Sequence, residues 1–181
     1  ASGKKVLFVG TKKQAKDIVR EAAEKIGQPY VTERWIGGML TNSQTITQQI
    51  KKLKNLEKRM GSGDLEKRYS KLEVQRFQEE IDVLNSRYGG IKDLMGKPGA
   101  VVVVDAAVDA NAVREANVLG VPVFGVVDTN VNPTDVTYVV PGNDDAIKGL
   151  QLLLDYFAQA VAEGAGSVKK ADEKPVKKEE K

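Results

Sequence analysis

The chain has 181 residues, enough for one domain that buries about two-thirds of the surface exposed by its unfolded form. Hydrophobic residues make up 41% and charged residues 29% of it, as in a soluble globular protein with a highly charged surface. Cysteine and histidine are absent, which excludes disulfides, thiol catalysis, thiolate metal sites and imidazole chemistry. No apolar run approaches the roughly 20 residues of a membrane helix, and no signal peptide is recognisable, so the cytoplasm is the predicted compartment.

The two halves of the sequence carry opposite charge. Residues 1–63 contain 13 Lys and Arg against 5 Asp and Glu, a net charge of +8. Residues 64–181 contain 15 against 20, a net charge of −5, which leaves +3 for the whole chain. A basic segment joined to an acidic one predicts one surface that faces a polyanion, rather than unspecific attraction over the whole molecule.

The first part of the chain predicts two strands of a buried sheet. The run Val6–Val9 is continuously apolar, which is typical of a strand covered on both faces. A helix follows, because apolar residues recur at helical spacing between residues 15 and 26. Tyr30–Val31 predicts a second strand, and residues 34–42 predict a glycine-rich loop.

Residues 42–88 predict an antiparallel coiled-coil hairpin inserted into the sheet domain. Two helical segments are separated by Gly61-Ser62-Gly63. In the second segment, apolar residues lie 3, 4, 3 and 4 positions apart, which indicates the seam of a coiled coil rather than the wider apolar face of a core helix. These residues are Val74, Phe77, Ile81, Leu84 and Tyr88.

The alternation of strands and helices returns after Gly89-Gly90. Further strands are predicted at 101–104, 123–127 and 138–140, with a helix at 112–119. Asn143 is expected to cap a last helix whose first turn holds Asp144 and Asp145.

This order of elements predicts an α/β fold, with a parallel sheet covered by helices on both faces. Residues 1–41 and 89–163 form the predicted sheet domain, and residues 42–88 form the hairpin. From residue 164 the composition reduces to a few charged and small residues without periodicity, which predicts a disordered tail over 164–181.

Gly10-Thr11-Lys12-Lys13 stands where the first strand passes into the first helix. Free N–H groups at a helix start and two ammonium groups could bind a phosphate. No Gly-x-Gly-x-x-Gly or Walker lysine motif is present, so no nucleotide cofactor is predicted. Two interpretations stay open: a turn with solvated lysines, and contact with a backbone phosphate.

Asp105 and Asp128 are expected at the carboxyl ends of neighbouring strands, where open α/β sheets place ligands. Two carboxylates there could hold magnesium in a small enzyme or signalling domain. The competing interpretation, which we favour, is that each carboxylate caps the turn or helix that follows it.

Arg34 and Trp35, the only tryptophan in the chain, open the glycine-rich loop. An exposed indole beside a guanidinium could stack on a base, whereas a buried indole would pin the loop to the core. The first hairpin helix carries five cations with Glu57 as its only acid, which favours phosphate contact over a solvated face. These cations are Lys51, Lys52, Lys54, Lys58 and Arg59.

The loop Arg-Trp-Ile-Gly-Gly-Met-Leu-Thr-Asn at 34–42 closely resembles the signature loop of the bacterial small-subunit ribosomal protein S-two family. The likeness continues through Phe8-Val9-Gly10-Thr11-Lys12, through Gly89-Gly90-Ile91-Lys92-Asp93 and through residues 98–122, with Asp105 and Glu115 in the expected places. It ends with Asp128-Thr129-Asn130 and residues 138–146. Matches in this order cover most of the chain from Lys5 to Gly164.

The resemblance implies a flavodoxin-like α/β fold with an inserted coiled-coil hairpin, and a structural protein that is not an enzyme and needs no cofactor or metal. It implies binding to small-subunit rRNA, a bridge between head and body, and help in docking the large mRNA-binding ribosomal protein; no homo-oligomer or membrane contact is expected. Family members usually carry a further segment before the first strand seen here, so we expect a fragment. The residues expected to contact RNA are Lys12, Lys13, Arg34, Trp35, Asn42, Lys51, Lys52, Lys54, Lys58, Arg59 and Lys92.

Overall fold

The computed structural model describes residues 3–94 and 96–172, with side chains described through residue 165. Five strands lie in this part of the chain: β1 (Val6–Val9), β2 (Tyr30–Val31), β3 (Ala100–Val103), β4 (Val123–Val127) and β5 (Tyr138–Pro141). The α-helices are α1 (Lys16–Lys25), α2 (Ser43–Gly61), α3 (Asp64–Arg68), α4 (Lys71–Tyr88), α5 (Ala110–Val118) and α6 (Ile147–Asp172). Single 3₁₀ turns lie at Gly89–Ile91 and Pro133–Asp135.

The described strands form one sheet in the order β2-β1-β3-β4-β5, and each neighbouring pair is parallel. Val6 of β1 lies opposite Ala100 of β3, and Val101 of β3 lies opposite Val123 of β4. This is the strand order of the flavodoxin-like doubly wound fold. The predicted fold class is therefore confirmed.

Both faces of the sheet are covered, as the continuously apolar strands predicted. Alternate strand side chains point to opposite faces, so Leu7 and Val9 join one hydrophobic cluster while Phe8 joins another. The first cluster includes residues from α2, α4 and α5, and the second includes residues from α1 and α6. Helices on both faces follow from right-handed crossovers between parallel strands.

The segment between β2 and β3 holds three helices where the sequence predicted two. Gly63 has a φ of +68°, and Ser70 is extended, so the chain breaks on both sides of α3. Ser70 and Glu73 form a capping box, in which the Ser70 N–H donates to Glu73 Oε2 at 2.9 Å. This Ser-x-x-Glu signal starts α4 at residue 71, and the prediction of a single turn at 61–63 overlooked it.

Helices α2 and α4 contact each other, and the predicted seam of α4 faces inward, with Ile81, Leu84 and Tyr88 buried. The same hydrophobic cluster contains Leu53 of α2 and residues of the sheet. The antiparallel coiled-coil geometry and the predicted domain boundaries stay predictions.

The last helix differs from its prediction at both ends. Asn143 does not cap it: its side chain accepts from the Asp145 N–H at 2.7 Å in a turn, and α6 begins only at Ile147. The reason is that Asp144 is drawn toward a lysine of another loop and is 3% exposed. At the other end, α6 continues to Asp172, past residue 164, where the sequence analysis placed the start of a disordered tail; that tail stays a prediction. Ala and Lys are good helix formers, and residues 173–181 lie outside the described part.

Across the described residues, no helix combines the length and apolar composition that are needed to cross a bilayer.

Gly90→Ala should lower the free energy of unfolding, because a Cβ at residue 90 would overlap the backbone oxygen and ring of Tyr30. The overlap forces β2 or the following turn to move, at a cost of about 1–3 kcal/mol. Urea unfolding followed by circular dichroism would measure it. Gly37→Ala is the matched control, because a Cβ there meets no atom within 4 Å. Equal stability of the two variants would contradict the packing described.

Candidate nucleic-acid interface

The crevice where this fold usually binds a ligand is closed by the protein's own side chains. In an open α/β sheet, ligands bind at the carboxyl ends of strands where the connections diverge, here between β1 and β3. Thr11 follows β1 and bonds to Asp109, which precedes α5. The Thr11 N–H donates to Asp109 Oδ2 at 3.1 Å, and the Thr11 hydroxyl donates to Asp109 Oδ1 at 2.8 Å. The two loops are thereby tied together across the crevice.

Lys12 occupies the centre of this edge. Among the described side chains, three carboxylates surround its ammonium: Asp105 at 3.2 Å, Asp144 at 2.8 Å and Asp145 at 2.7 Å. Asp105 and Asp144 are buried, at 2% and 3% exposed, and the group of ion pairs around Lys12 extends from them to the protein surface. Lys12 is therefore already paired with acids of the same chain, and its contact with an RNA phosphate stays a prediction.

The buried carboxyls at this edge have pKa values shifted in different directions. Burial alone would raise the pKa of Asp105, but hydrogen bonds from the Val108 N–H, Lys12 and the Ala107 N–H lower it overall. Burial raises the pKa of Asp144, and the nearby Asp105 charge raises it further against the opposing effect of Lys12. Burial also raises the pKa of Asp109 in spite of its two bonds from Thr11.

The two carboxylates proposed for magnesium are used in turns. Asp105 Oδ1 accepts from the N–H groups of Ala107 and Val108, each at 2.9 Å. Asp128 Oδ1 accepts from the Thr129 N–H at 2.6 Å. No group of three or more acidic side chains in the described part of the chain is arranged to hold a metal ion. These contacts favour the capping interpretation.

Glu115 of α5 organises the glycine-rich loop. Within the described residues it accepts five hydrogen bonds, all from this loop. Oε1 accepts from the Trp35 indole N–H at 3.0 Å and the Gly38 N–H at 2.8 Å. Oε2 accepts from the Leu40 N–H at 2.9 Å, and from the N–H and hydroxyl of Thr41 at 3.2 Å each. Burial alone would raise the pKa of Glu115, but these donors lower it.

The loop turns some of its residues inward and others outward. Trp35 is 8% exposed, so its ring pins the loop to the core, one of the two alternatives left open by the sequence. Arg34 is exposed and has no ion-pair partner among the described side chains. Asn42 caps α2, its side-chain oxygen accepting from the Thr45 N–H at 3.4 Å.

Several of the expected RNA-binding cations are paired with acids that lie on other segments of the chain. Lys52 pairs with Glu80 of α4, Lys54 with Asp93 at 3.2 Å, and Lys92 with Glu57 at 2.6 Å. Lys92 is the main cause of the lowered pKa of Glu57. The apparent excess of positive charge on α2 is therefore partly balanced by acids that are distant in sequence.

Arg59 is also paired, with Asp64 at 3.2 Å, and it lies 5.8 Å from the centre of the Tyr69 ring. The remaining expected cations, Lys13, Lys51 and Lys58, are exposed and have no ion pair with any side chain described through residue 165.

Comparison with known proteins decides the family. The family model described as ribosomal protein S2 matches residues 1–164. The chain belongs to the ribosomal protein S2 family. It is 46% identical over 162 residues to the small ribosomal subunit protein uS2 of Fusobacterium nucleatum subsp. nucleatum, and 48% identical over 165 residues to that of Erythrobacter litoralis. These alignments cover 90% and 91% of this chain but 66% of each relative.

The family result confirms the resemblance noted in the signature loop, and its members are named as ribosomal proteins of the small subunit rather than as enzymes. The roles of individual residues in RNA binding stay predictions. Sequence reasoning missed the contacts that Asp109 and Asp144 make with the loop after β1, although both aspartates lie in loops at the carboxyl edge of the sheet. It also assigned no role to the carboxylate of Glu115. Only the family resemblance had singled that residue out.

Asp109→Asn should raise the free energy of unfolding at neutral pH by about 0.5–2 kcal/mol. The amide can keep both bonds to Thr11, accepting from its N–H and donating to its hydroxyl, while the buried charge disappears. Because the pKa of Asp109 is raised in the folded chain, this carboxyl reduces stability as pH rises. The gain in the free energy of unfolding should therefore be small at about pH 4 and reach its full value at about pH 7.

Urea unfolding at both pH values would measure this gain. Asp155→Asn, at an exposed position of α6, is the control for loss of one negative charge. A loss of stability in Asp109→Asn at neutral pH would show that the charge is needed at that position.

Proposed function

We propose that this chain is a structural constituent of the small ribosomal subunit, which binds small-subunit rRNA without catalysing a reaction. The observation that carries the proposal is membership of the ribosomal protein S2 family across 90% of the chain. The charge distribution supports it independently, because residues 1–63 have a net charge of +8. A chain of this kind binds a phosphate backbone chiefly by neutralising its charge, with little reading of bases.

The exposed, unpaired cations support the proposal most directly. Lys13, Arg34, Lys51 and Lys58 are exposed and form no ion pair among the described side chains, so they can meet phosphates without breaking one. Lys51 and Lys58 stand seven residues apart on α2, which puts them on one face about 10 Å apart along the helix. We assign the main phosphate contacts to these four side chains.

The paired cations have a secondary place in the proposal. Lys52, Lys54 and Arg59 would have to leave Glu80, Asp93 and Asp64 in order to reach a phosphate. The lysine pairs are exposed at the surface, where such pairs contribute about 0–1 kcal/mol, so the exchange costs little. These residues can add to binding, but each contact should be weaker than one made by an unpaired lysine.

The finer parts of the role belong to the same proposal. The segment 64–181, with its net charge of −5, is suited to face basic ribosomal neighbours while the basic segment faces RNA. We propose that the chain bridges the head and body of the small subunit and helps dock the large mRNA-binding ribosomal protein. Residues Asp105 and Asp128 offer no support for the alternative of a magnesium enzyme, since both are used in turns.

The protein should co-sediment with small subunits in a sucrose gradient at about 0.1 M salt and be released in part near about 1 M, because salt screens phosphate contacts. Immunoblotting of the gradient fractions would measure this. A protein that stays at the top of the gradient at the lower salt concentration would contradict the ribosomal role.

Lys51→Gln together with Lys58→Gln should reduce the salt dependence of rRNA binding. Each lost phosphate contact lowers the slope of log Kobs against log salt concentration by about 0.7–0.9, so the double variant should lose about 1.5. Filter binding of an rRNA transcript over a salt series would measure the slope. The pair Lys52→Gln and Lys54→Gln is the matched control, since it removes the same charge from the same helix but from paired lysines. Equal losses would show that the ion pairs open on binding.

A further inference from the structure

The carboxylate of Glu115 is half-buried against the loop 34–42, and within the described residues all of its hydrogen bonds come from that loop. Its two oxygens receive the indole N–H of Trp35, three backbone N–H groups and one hydroxyl. One side chain of α5 thereby fixes the path of a loop more than 70 residues away in sequence. The same loop presents the unpaired Arg34 at its start and caps α2 at its end.

The arrangement requires an ionised carboxylate and not merely a polar group. Oε1 receives two N–H donors, and Oε2 receives two N–H donors and a hydroxyl. A neutral amide at residue 115 would turn its NH₂ group toward one of these two sets. In either orientation, two N–H donors would then face another donor and lose their acceptor.

We propose that Glu115 is a positioning residue for RNA binding: its carboxylate fixes loop 34–42 so that Arg34 meets an rRNA phosphate. This inference rests on the proposed function. Glu115 makes no contact with RNA in the proposal, and its negative charge would on its own repel a phosphate. Its effect is to order the loop before binding, so that RNA does not have to supply the free energy for ordering it.

The buried and exposed residues of the loop support this division of roles. Trp35, Met39 and Leu40 are buried, which anchors the loop to the core. Arg34 and Gly37 are exposed, and a Cβ at Gly37 would meet no atom within 4 Å, so the outer side of the loop is open. The guanidinium of Arg34 is therefore accessible to a ligand.

Glu115→Gln gives the sharpest test, because the change in net charge and the loss of the positioning role predict opposite changes in RNA affinity. The variant removes one negative charge from the chain, so simple attraction to RNA predicts equal or tighter binding. The positioning role predicts affinity for an rRNA transcript weaker by about 3-fold or more. Glu21→Gln, at an exposed position of α1, is the matched control for charge and should bind as tightly as the unchanged chain or slightly more tightly.

A double-mutant cycle with Arg34→Ala separates positioning from a general loss of stability. If Glu115 acts through Arg34, the fold losses of affinity in the two single variants should not multiply in the double variant. The affinity of the double variant should then be higher, by about 3-fold or more, than the product of the two single losses predicts. A purely structural role leaves the effects independent. Affinities are measured by filter binding at a temperature where circular dichroism shows each variant folded.

Thr41→Val provides the same cycle if Glu115→Gln does not fold, because it removes one exposed donor to Oε2 and leaves the charge in place. Multiplying effects in the cycle, or unchanged affinity of Glu115→Gln, would overturn the inference and leave the proposed function intact. Failure of the unchanged chain to bind the transcript would instead contradict the proposed function.

Discussion

Carboxylates that bind donors of the same chain hold the carboxyl edge of this sheet together. Asp109 joins the loop after β1 to the start of α5, and Asp105 and Asp144 join Lys12 to the loops after β3 and β5. Glu115 joins α5 to the loop before α2. In each case the partners come from segments distant in sequence, so removing one partner would leave a buried charge or donor unsatisfied. The connections of the sheet are thus linked through a few acids.

These internal contacts also explain which cations remain for a partner. An α/β sheet of this order offers a ligand crevice between β1 and β3, but here Thr11 and Lys12 are bonded to aspartates across it. What remains is positive charge on the periphery, at the loop before α2 and along α2 itself. A protein with a closed crevice and exposed cations is suited to a large polyanion rather than to a small ligand, in agreement with a family of ribosomal proteins.

The strands were predictable because their signal is local. Continuous apolar runs such as Val6–Val9 define buried strands, and their alternation with helices defines the parallel sheet. The burial of Ile81, Leu84 and Tyr88 followed from spacing alone. The wrong predictions have other causes. Each involved either a contact between residues distant in sequence or a second local signal that competed with the first. Asn143 failed as a cap because Asp144 binds Lys12, and α3 separates from α4 because Ser70 and Glu73 form a capping box.

The same reasoning explains why the site was harder to predict than the fold. A count of charges along α2 records Glu57 as its only acid, but Glu80 and Asp93 reach its lysines from other segments. Sequence gives the charges, whereas only tertiary structure decides which of them neutralise each other. The family motif had singled out both Lys12 and Glu115, yet one is a cation held by the protein's own acids and the other an anion held by its own donors. Lys12 and Glu115 both connect loops of the same chain, and we expect RNA to meet chiefly the cations that have no ion pair among the described side chains.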